Sequence, residues 1–226
     1  MTVNLAVVGL GAFGQKHLDA LALIDDVNIV YVAHSKMDVA EEVAAKYGAK
    51  RAFTDYAELL AQPDLDGLIL ATPTQMHLAQ TLQALEAGKH VQVEIPMADN
   101  LAGVRQIVDL QAETGLVAMA GHTRRFNPSH QFVHNKIEAG EFSIQQMDVQ
   151  TYFFRRSNMN ALGKPRSWTD HLLWHHAAHT VDLFQYQTGE KVVKANAIKG
   201  PKHPELGIPM DMSIQLQTEN GKICTH

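Results

Sequence analysis

The sequence predicts an α/β chain: a doubly wound parallel sheet over residues 1–120, then an α+β open-sheet unit over 121–226. Three observations predict this. Short Val- and Ile-rich runs alternate with helix-length amphipathic stretches through the first half. The first run, Val3 to Val8, passes straight into Gly9-x-Gly11-x-x-Gly14 and a helical stretch. After Ala120 the alternation gives way to two longer helices and a series of strands.

The glycines carry the first functional expectation. In a strand–turn–helix setting the first glycine permits a tight turn, and the second lets backbone approach a pyrophosphate. The third lets the helix pack close to the strand, and the phosphates meet unpaired N–H groups at the helix start. Gly9, Gly11, Ala12, Phe13 and Gly14 are therefore expected to bind a dinucleotide, and residues 1–120 to form a Rossmann domain. A glycine-rich turn without a ligand is the plain alternative, and the strand before the motif weighs against it.

The elements follow in order. Phe13 to Ile24 reads as the first crossover helix and Val27 to Ala33 as a β-branched strand. Met37 to Tyr47 is helical, with Gly48 placed to end it. Thr54-Asp55 caps a short helix through Ala61, and Asp66 to Ala71 is a buried strand. Thr74 to Ala87 is helical up to Gly88, His90 to Val93 a strand, Asn100 to Thr114 a helix stopped by Gly115, and Val117 to Ala120 a strand. In the second unit Phe126 to Ala139 reads as a helix. Ile144 to Phe154 reads as a long strand with Met147, Val149 and Phe153 on one face. A basic loop, Arg155 to Thr169, precedes a helix from Leu172 to Gln187 that ends at Gly189. Val192 to Ile198 and Met210 to Thr218 read as strands, joined by a two-residue Asn220-Gly221 turn to a strand that starts at Lys222. A final strand of five residues is expected to leave an unprotected sheet edge, the mark of a truncated chain or of a covering partner.

Composition narrows the class. The 226 residues are 46% hydrophobic and 19% charged with a net charge of −5, which is globular and gives no general attraction to nucleic acid or anionic membrane. One cysteine, Cys224, excludes an intrachain disulfide and fits a reducing, cytoplasmic setting. The apolar N-terminus is too short for a membrane span and lacks a signal-peptide cleavage pattern.

Cofactor choice is read where the second strand ends. NAD-preferring domains place Asp or Glu there for the ribose 2′-hydroxyl. This chain has His34-Ser35-Lys36, with no carboxylate to repel a 2′-phosphate, a hydroxyl to donate to it and a charge to pair with it. NADP is the expected cofactor, against the alternative of a solvated loop with an incidental lysine.

Three further stretches resemble the glucose–fructose oxidoreductase, inositol dehydrogenase and MocA family. Ala71-Thr72-Pro73-Thr74-Gln75-Met76-His77 is similar to its T-P-x-x-x-H loop, and Glu94-Ile95-Pro96 stands where the family has Glu-Lys-Pro. Gly121-His122-Thr123-Arg124-Arg125-Phe126-Asn127-Pro128 is similar to the R-F-x-P segment that opens its second domain. The resemblance covers the whole chain. It implies a cofactor site that also takes in Thr72, Pro73, His77 and Glu94, and a homodimer formed through the open face of the second sheet. The stretches Thr151 to Arg156, Pro165 to His171 and Trp174 to His179 narrow it to bacterial aromatic-ring catabolism. There it implies NADP-linked oxidation of a carboxylated semialdehyde, as its cyclic hemiacetal, to a pyrone dicarboxylate.

Two departures bear on the chemistry. The family lysine is Ile95, so no ammonium is offered there, and the family's D-x-x-x-H pair appears as His175 and His179. His175, His179 and Asp182 fall at i, i+4 and i+7 and share a helix face. An imidazole titrates near neutrality and takes a hydroxyl proton as hydride leaves the same carbon. His179 is the expected base, with His175 as substrate ligand or second catalytic histidine, and Asp182 as anchor or orienter. His171, His175 and His179 also form a ladder that zinc ligands sometimes use; no metal is expected, because the resemblance implies none. Arg124, Arg125, Arg155, Arg156 and Arg166 concentrate guanidinium groups suited to carboxylates. Arg124 and Arg166, with His122, are the expected substrate ligands, and Arg125 is expected to be structural. A sugar or cyclitol dehydrogenase, or a non-catalytic NADP-binding sensor, are the alternatives.

Overall fold

The computed structural model describes residues 2–152, 159, 176–205, 207 and 209–226. They fall into two compact units, Met1–Gly121 and His122–His226.

The first unit is a six-stranded parallel sheet in the order β3-β2-β1-β4-β5-β6. Its strands are β1 (Val3–Val8), β2 (Val27–Ala33), β3 (Arg51–Phe53), β4 (Gly67–Leu70), β5 (His90–Val93) and β6 (Ala118–Ala120). Five helices connect them: α1 (Ala12–Leu21), α2 (Met37–Tyr47), α3 (Tyr56–Leu60), α4 (Thr74–Glu86) and α5 (Leu101–Thr114). The order reverses between β1 and β4, which is the switch point where doubly wound sheets open a crevice beyond their carboxyl ends.

Alternation along the central strands builds a core on each face. Ala6, Val8, Leu68 and Leu70 point to one side with Leu59, Leu85 and Ile107. Val7, Val32 and Ile69 point to the other, against Leu18 and Leu21 of α1 and Ala40 and Val43 of α2. Caps end the helices where the sequence places them: Asp55 and Asn100 accept from the third N–H of α3 and α5, and Gly48 and Gly115 close α2 and α5 in the left-handed conformation. β3 was not expected. Three residues between two helices carry no periodicity, and the strand exists because β2 offers it Tyr31 to Ala33.

The second unit carries η1 (Thr123–Phe126), α6 (Pro128–Glu138), α7 (Ala178–Thr188) and strands β7 (Gln146–Asp148), β8 (Val192–Lys199), β9 (Met212–Thr218) and β10 (Ile223–Thr225). Ala177 and Phe184 pack on Ile214, Leu216 and Cys224, with Met147 and Val149 on the same side. Cys224 is buried, and burial pushes its thiol up to about 11.

Three expectations change here. β10 is not an edge: the sheet order is β7-β10-β9-β8, so β10 is paired on both sides, parallel to β7 and antiparallel to β9. The long strand from Ile144 shortens to β7, because its single neighbour β10 offers three residues; Phe153 lies outside the described residues. The β9–β10 connection is a three-residue turn in which Gly221, at φ +90°, donates to the Thr218 carbonyl, and Thr218 donates to Lys222. Regular α7 starts at Ala178 after a π-turn at 176–177, and residues 172–175 lie outside the described residues.

Candidate functional site

In the first unit the glycine turn does what its spacing requires. Gly9, at φ +92°, has no room for a side chain, since a Cβ would stand 2.5 Å from the Ala71 carbonyl oxygen. A Cβ on Gly14 would overlap the Gly9 carbonyl, so α1 packs against the turn only because that position is bare. Gly11 is different: nothing lies within 4 Å of where its Cβ would be, and it caps α1 with no side-chain hydrogen bond. The first turn of α1, from Ala12 through Phe13 and Gly14, thus offers backbone N–H groups beside open space, a cradle that fits a pyrophosphate.

Gly14 and Gly11 make separable predictions. Gly14→Ala should cost about 1–3 kcal/mol of stability through overpacking. Gly11→Ala should leave the melting temperature unchanged yet weaken cofactor binding, because the added methyl enters only the cradle. Thermal unfolding and titration of bound cofactor on both variants check the contrast.

At the end of β2, His34 is half-buried and donates its backbone N–H to the Phe53 carbonyl, while its ring Nδ1 accepts the Lys36 backbone N–H at 3.2 Å. A neutral ring held this way carries its proton on Nε2. Ser35 and Lys36 are exposed, with Lys36 as the extended N-cap of α2.

Beyond β4 and β5 two turns are tied together. Thr72 donates its hydroxyl to Gln80 Oε1 at 2.6 Å. His77, only 1% exposed, has Nδ1 2.8 Å from the Pro96 carbonyl oxygen and Nε2 2.7 Å from that of Thr72. The His77 ring thus joins the Thr72-Pro73 turn to the Glu94-Ile95-Pro96 turn. Glu94 follows β5 and takes a hydrogen bond from His17 Nε2 at 2.6 Å. Sequence reasoning missed His17, whose partner lies 77 residues away.

In the second unit the histidine of α7 has a defined neighbourhood. His122 meets His179 edge-on, with ring centroids 6.2 Å apart. Asp182 is 9% exposed and held bidentately by Arg125, Nε to Oδ2 at 2.9 Å and Nη2 to Oδ1 at 2.5 Å. That guanidinium also lies 5.0 Å from the centre of the Tyr186 ring. Asp182 is therefore the anchor for Arg125, the structural role expected of both. His122 Nδ1 stands 3.7 Å from Asp182 Oδ2, too far for a hydrogen bond.

Burial holds His122 below its ordinary value of 6.5, a shift Asp182 opposes and Arg125 reinforces. The unfolded chain then accepts a proton that the folded chain resists. The His122 contribution to stability is present above pH 6.5 and is lost as pH falls through the depressed value. Replacing His122 with Gln should flatten that part of the acid limb in chemical denaturation across pH; an unchanged slope would contradict the assignment.

Arg124 is half-buried, and burial lowers its pKa from the ordinary value. Among the described residues it makes no ion pair, in contrast to Arg125. His175, Arg155, Arg156, Arg166 and His171 lie outside the described residues.

Residues 3–122 match the oxidoreductase family with an NAD-binding Rossmann fold, and residues 128–226 match the bacterial oxidoreductase C-terminal domain. The chain belongs to the glucose–fructose oxidoreductase, inositol dehydrogenase and MocA family. It is an oxidoreductase with a nucleotide-binding domain. It is 66% identical over 223 residues to the 4-carboxy-2-hydroxymuconate-6-semialdehyde dehydrogenase of a Sphingobium species, covering 99% of this chain and 70% of that protein. It is 29% identical to the inositol 2-dehydrogenase of Mycolicibacterium smegmatis, over 97% of this chain and 63% of that one. Among solved structures, the myo-inositol 2-dehydrogenase of Lactobacillus plantarum superposes with a TM-score of 0.83 at 19% identity, over 100% of this chain and 69% of its own. The scyllo-inositol dehydrogenase of Lactobacillus casei, solved with NAD(H) and scyllo-inositol, also gives 0.83, at 21% identity over 100% and 68%. These two show the family fold.

Proposed function

We propose that this chain is an NADP-dependent dehydrogenase that oxidises 4-carboxy-2-hydroxymuconate-6-semialdehyde, as its cyclic hemiacetal, to 2-pyrone-4,6-dicarboxylate in protocatechuate 4,5-cleavage. The observation that carries this is the 66% identity to the dehydrogenase of that name along almost the whole chain.

NADP⁺, when bound, supplies the hydride acceptor. The chain's own residues do the rest. The Gly9–Gly14 turn and the first turn of α1 hold the pyrophosphate, and Thr72, Pro73 and Glu94 border the nicotinamide end. Ser35 donates to the 2′-phosphate, Lys36 pairs with it, and His34 offers Nε2–H. Arg124 holds a substrate carboxylate: a partly desolvated guanidinium without an ion pair among the described residues gains most from an anion. Arg166 and His175 are assigned to the same task, His122 binds substrate as a neutral ring, and His175 is the second catalytic histidine. His179 receives the hemiacetal hydroxyl proton on Nε2, since its Nδ1 is shut off from solvent. Loss of that proton, and of hydride from the same carbon, leaves the lactone carbonyl of the pyrone.

The protein is proposed to work in the cytoplasm as a homodimer. Ile198 and Ile223 are 67% and 39% exposed on the sheet face shared with Gln215 and Gln217, the face the family resemblance assigns to the dimer. Sedimentation equilibrium at twice the chain mass is the check. For the reaction, mass spectrometry of the product from purified protein, NADP⁺ and the semialdehyde should show the pyrone dicarboxylate. Recovery of unreacted semialdehyde alone would refute the assignment.

A further inference from the structure

His17, which hydrogen-bonds Glu94, has no part in the machinery described so far. α1 buries Gly14, Leu18 and Leu21, a stripe that packs the helix on the sheet, and His17 stands on the margin of that stripe. Its Nε2 reaches across to Glu94 Oε1 at 2.6 Å, with both side chains 17% exposed. Taking two polar groups this far from water costs more than an ordinary surface pair returns, so the pair is a weak explanation of stability by itself.

Its place in the sheet is more informative. Gly14 faces Ala71 beyond β4, and Glu94 follows β5 and lines the spot where Gly121, after β6, comes close. The fingerprint turn, the Ala71-Thr72 turn and Glu94 therefore all lie beyond the carboxyl ends of neighbouring strands, on the rim that binds ligands in this architecture. Glu94 starts the turn that His77 fastens at Pro96. Imidazoles from α1 and α4 thus fix the 94–96 turn at its two ends. With Ile95 between them, Glu94 is the ionisable side chain of that turn. His17 occupies one carboxylate oxygen and leaves Oε2 as an acceptor.

We infer that His17 is a positioning residue: it holds the Glu94 carboxylate so that Oε2 accepts from the carboxamide N–H of the nicotinamide. The inference rests on the dinucleotide-binding reading above. It separates α1 into two tasks, with its first turn serving the pyrophosphate and His17 serving the far end of the cofactor through Glu94.

A fragment without nicotinamide isolates that end. Calorimetric titration with NADP⁺ and with 2′-phospho-ADP-ribose should be run on wild type, His17→Ala, His17→Gln and Glu94→Gln. His17→Ala should weaken NADP⁺ about tenfold, the worth of one charge-assisted hydrogen bond, and leave the fragment within about twofold. His17→Gln, whose amide still donates, should recover most of the loss, and Glu94→Gln should match His17→Ala. Equal weakening of both ligands, or no weakening of either, would overturn the inference and leave the pair a tie between helix and strand. Wild-type protein that binds neither ligand would instead overturn the cofactor reading on which it rests.

Discussion

His179→Ala should lower kcat by about 10²- to 10⁴-fold, the usual contribution of a positioned general base, and leave cofactor affinity unchanged. The expectation is specific because the cradle is built from residues of the first unit, whereas His179 sits in the first turn of α7. Alanine is the strongest helix former, so α7 survives the change. Nor does the variant disturb the Arg125–Asp182 pair that anchors this helix to η1, since Asp182 is bonded to Arg125. Stopped-flow measurement of nicotinamide reduction, beside titration of NADP⁺, separates the chemical step from binding. Undiminished turnover would remove His179 from the reaction.

The second large effect is expected at the carboxylate site. Arg124→Met should raise KM for the semialdehyde about 10- to 100-fold, since a hydrogen-bonded charge contact contributes about 1.5–3 kcal/mol. Adding Arg166→Met should raise it further. Arg124 has no ion pair among the described residues, so thermal stability should hardly move. Arg125→Met should do the reverse. It strands a nearly buried carboxylate, at about 2–3 kcal/mol, below the figure for a fully buried pair because the guanidinium side chain is 41% exposed. Steady-state kinetics and thermal unfolding of the two variants test this exchange of roles. An unchanged KM in the Arg124 variant would exclude it from substrate binding.

Much of the first unit was legible because its signals are local. β2 and α2 begin and end at the expected residues, since β-branched runs, helix caps and a left-handed glycine are written in neighbouring positions. The glycine turn was legible for the same reason. Strand order was not: that β10 slips between β7 and β9 depends on which backbone edges meet, and no residue in Ile223 to Thr225 encodes it. Paired side chains were hidden as well. Glu94 could be singled out by its motif, but not that His17 would reach it from 77 positions away. The same holds for His77: its motif marks it out, but not that its ring would lie between the Thr72 and Pro96 carbonyls.

This chain is proposed to pass hydride from a carboxylated hemiacetal to NADP⁺. Near-ultraviolet absorbance of reduced nicotinamide tests it most directly, with purified protein, the semialdehyde and NADP⁺, and with NAD⁺ as the parallel reaction. A rising signal with NADP⁺ that exceeds the NAD⁺ reaction at equal concentration is expected. A flat trace from folded protein that binds NADP⁺ would contradict it, and would favour a cofactor-binding sensor.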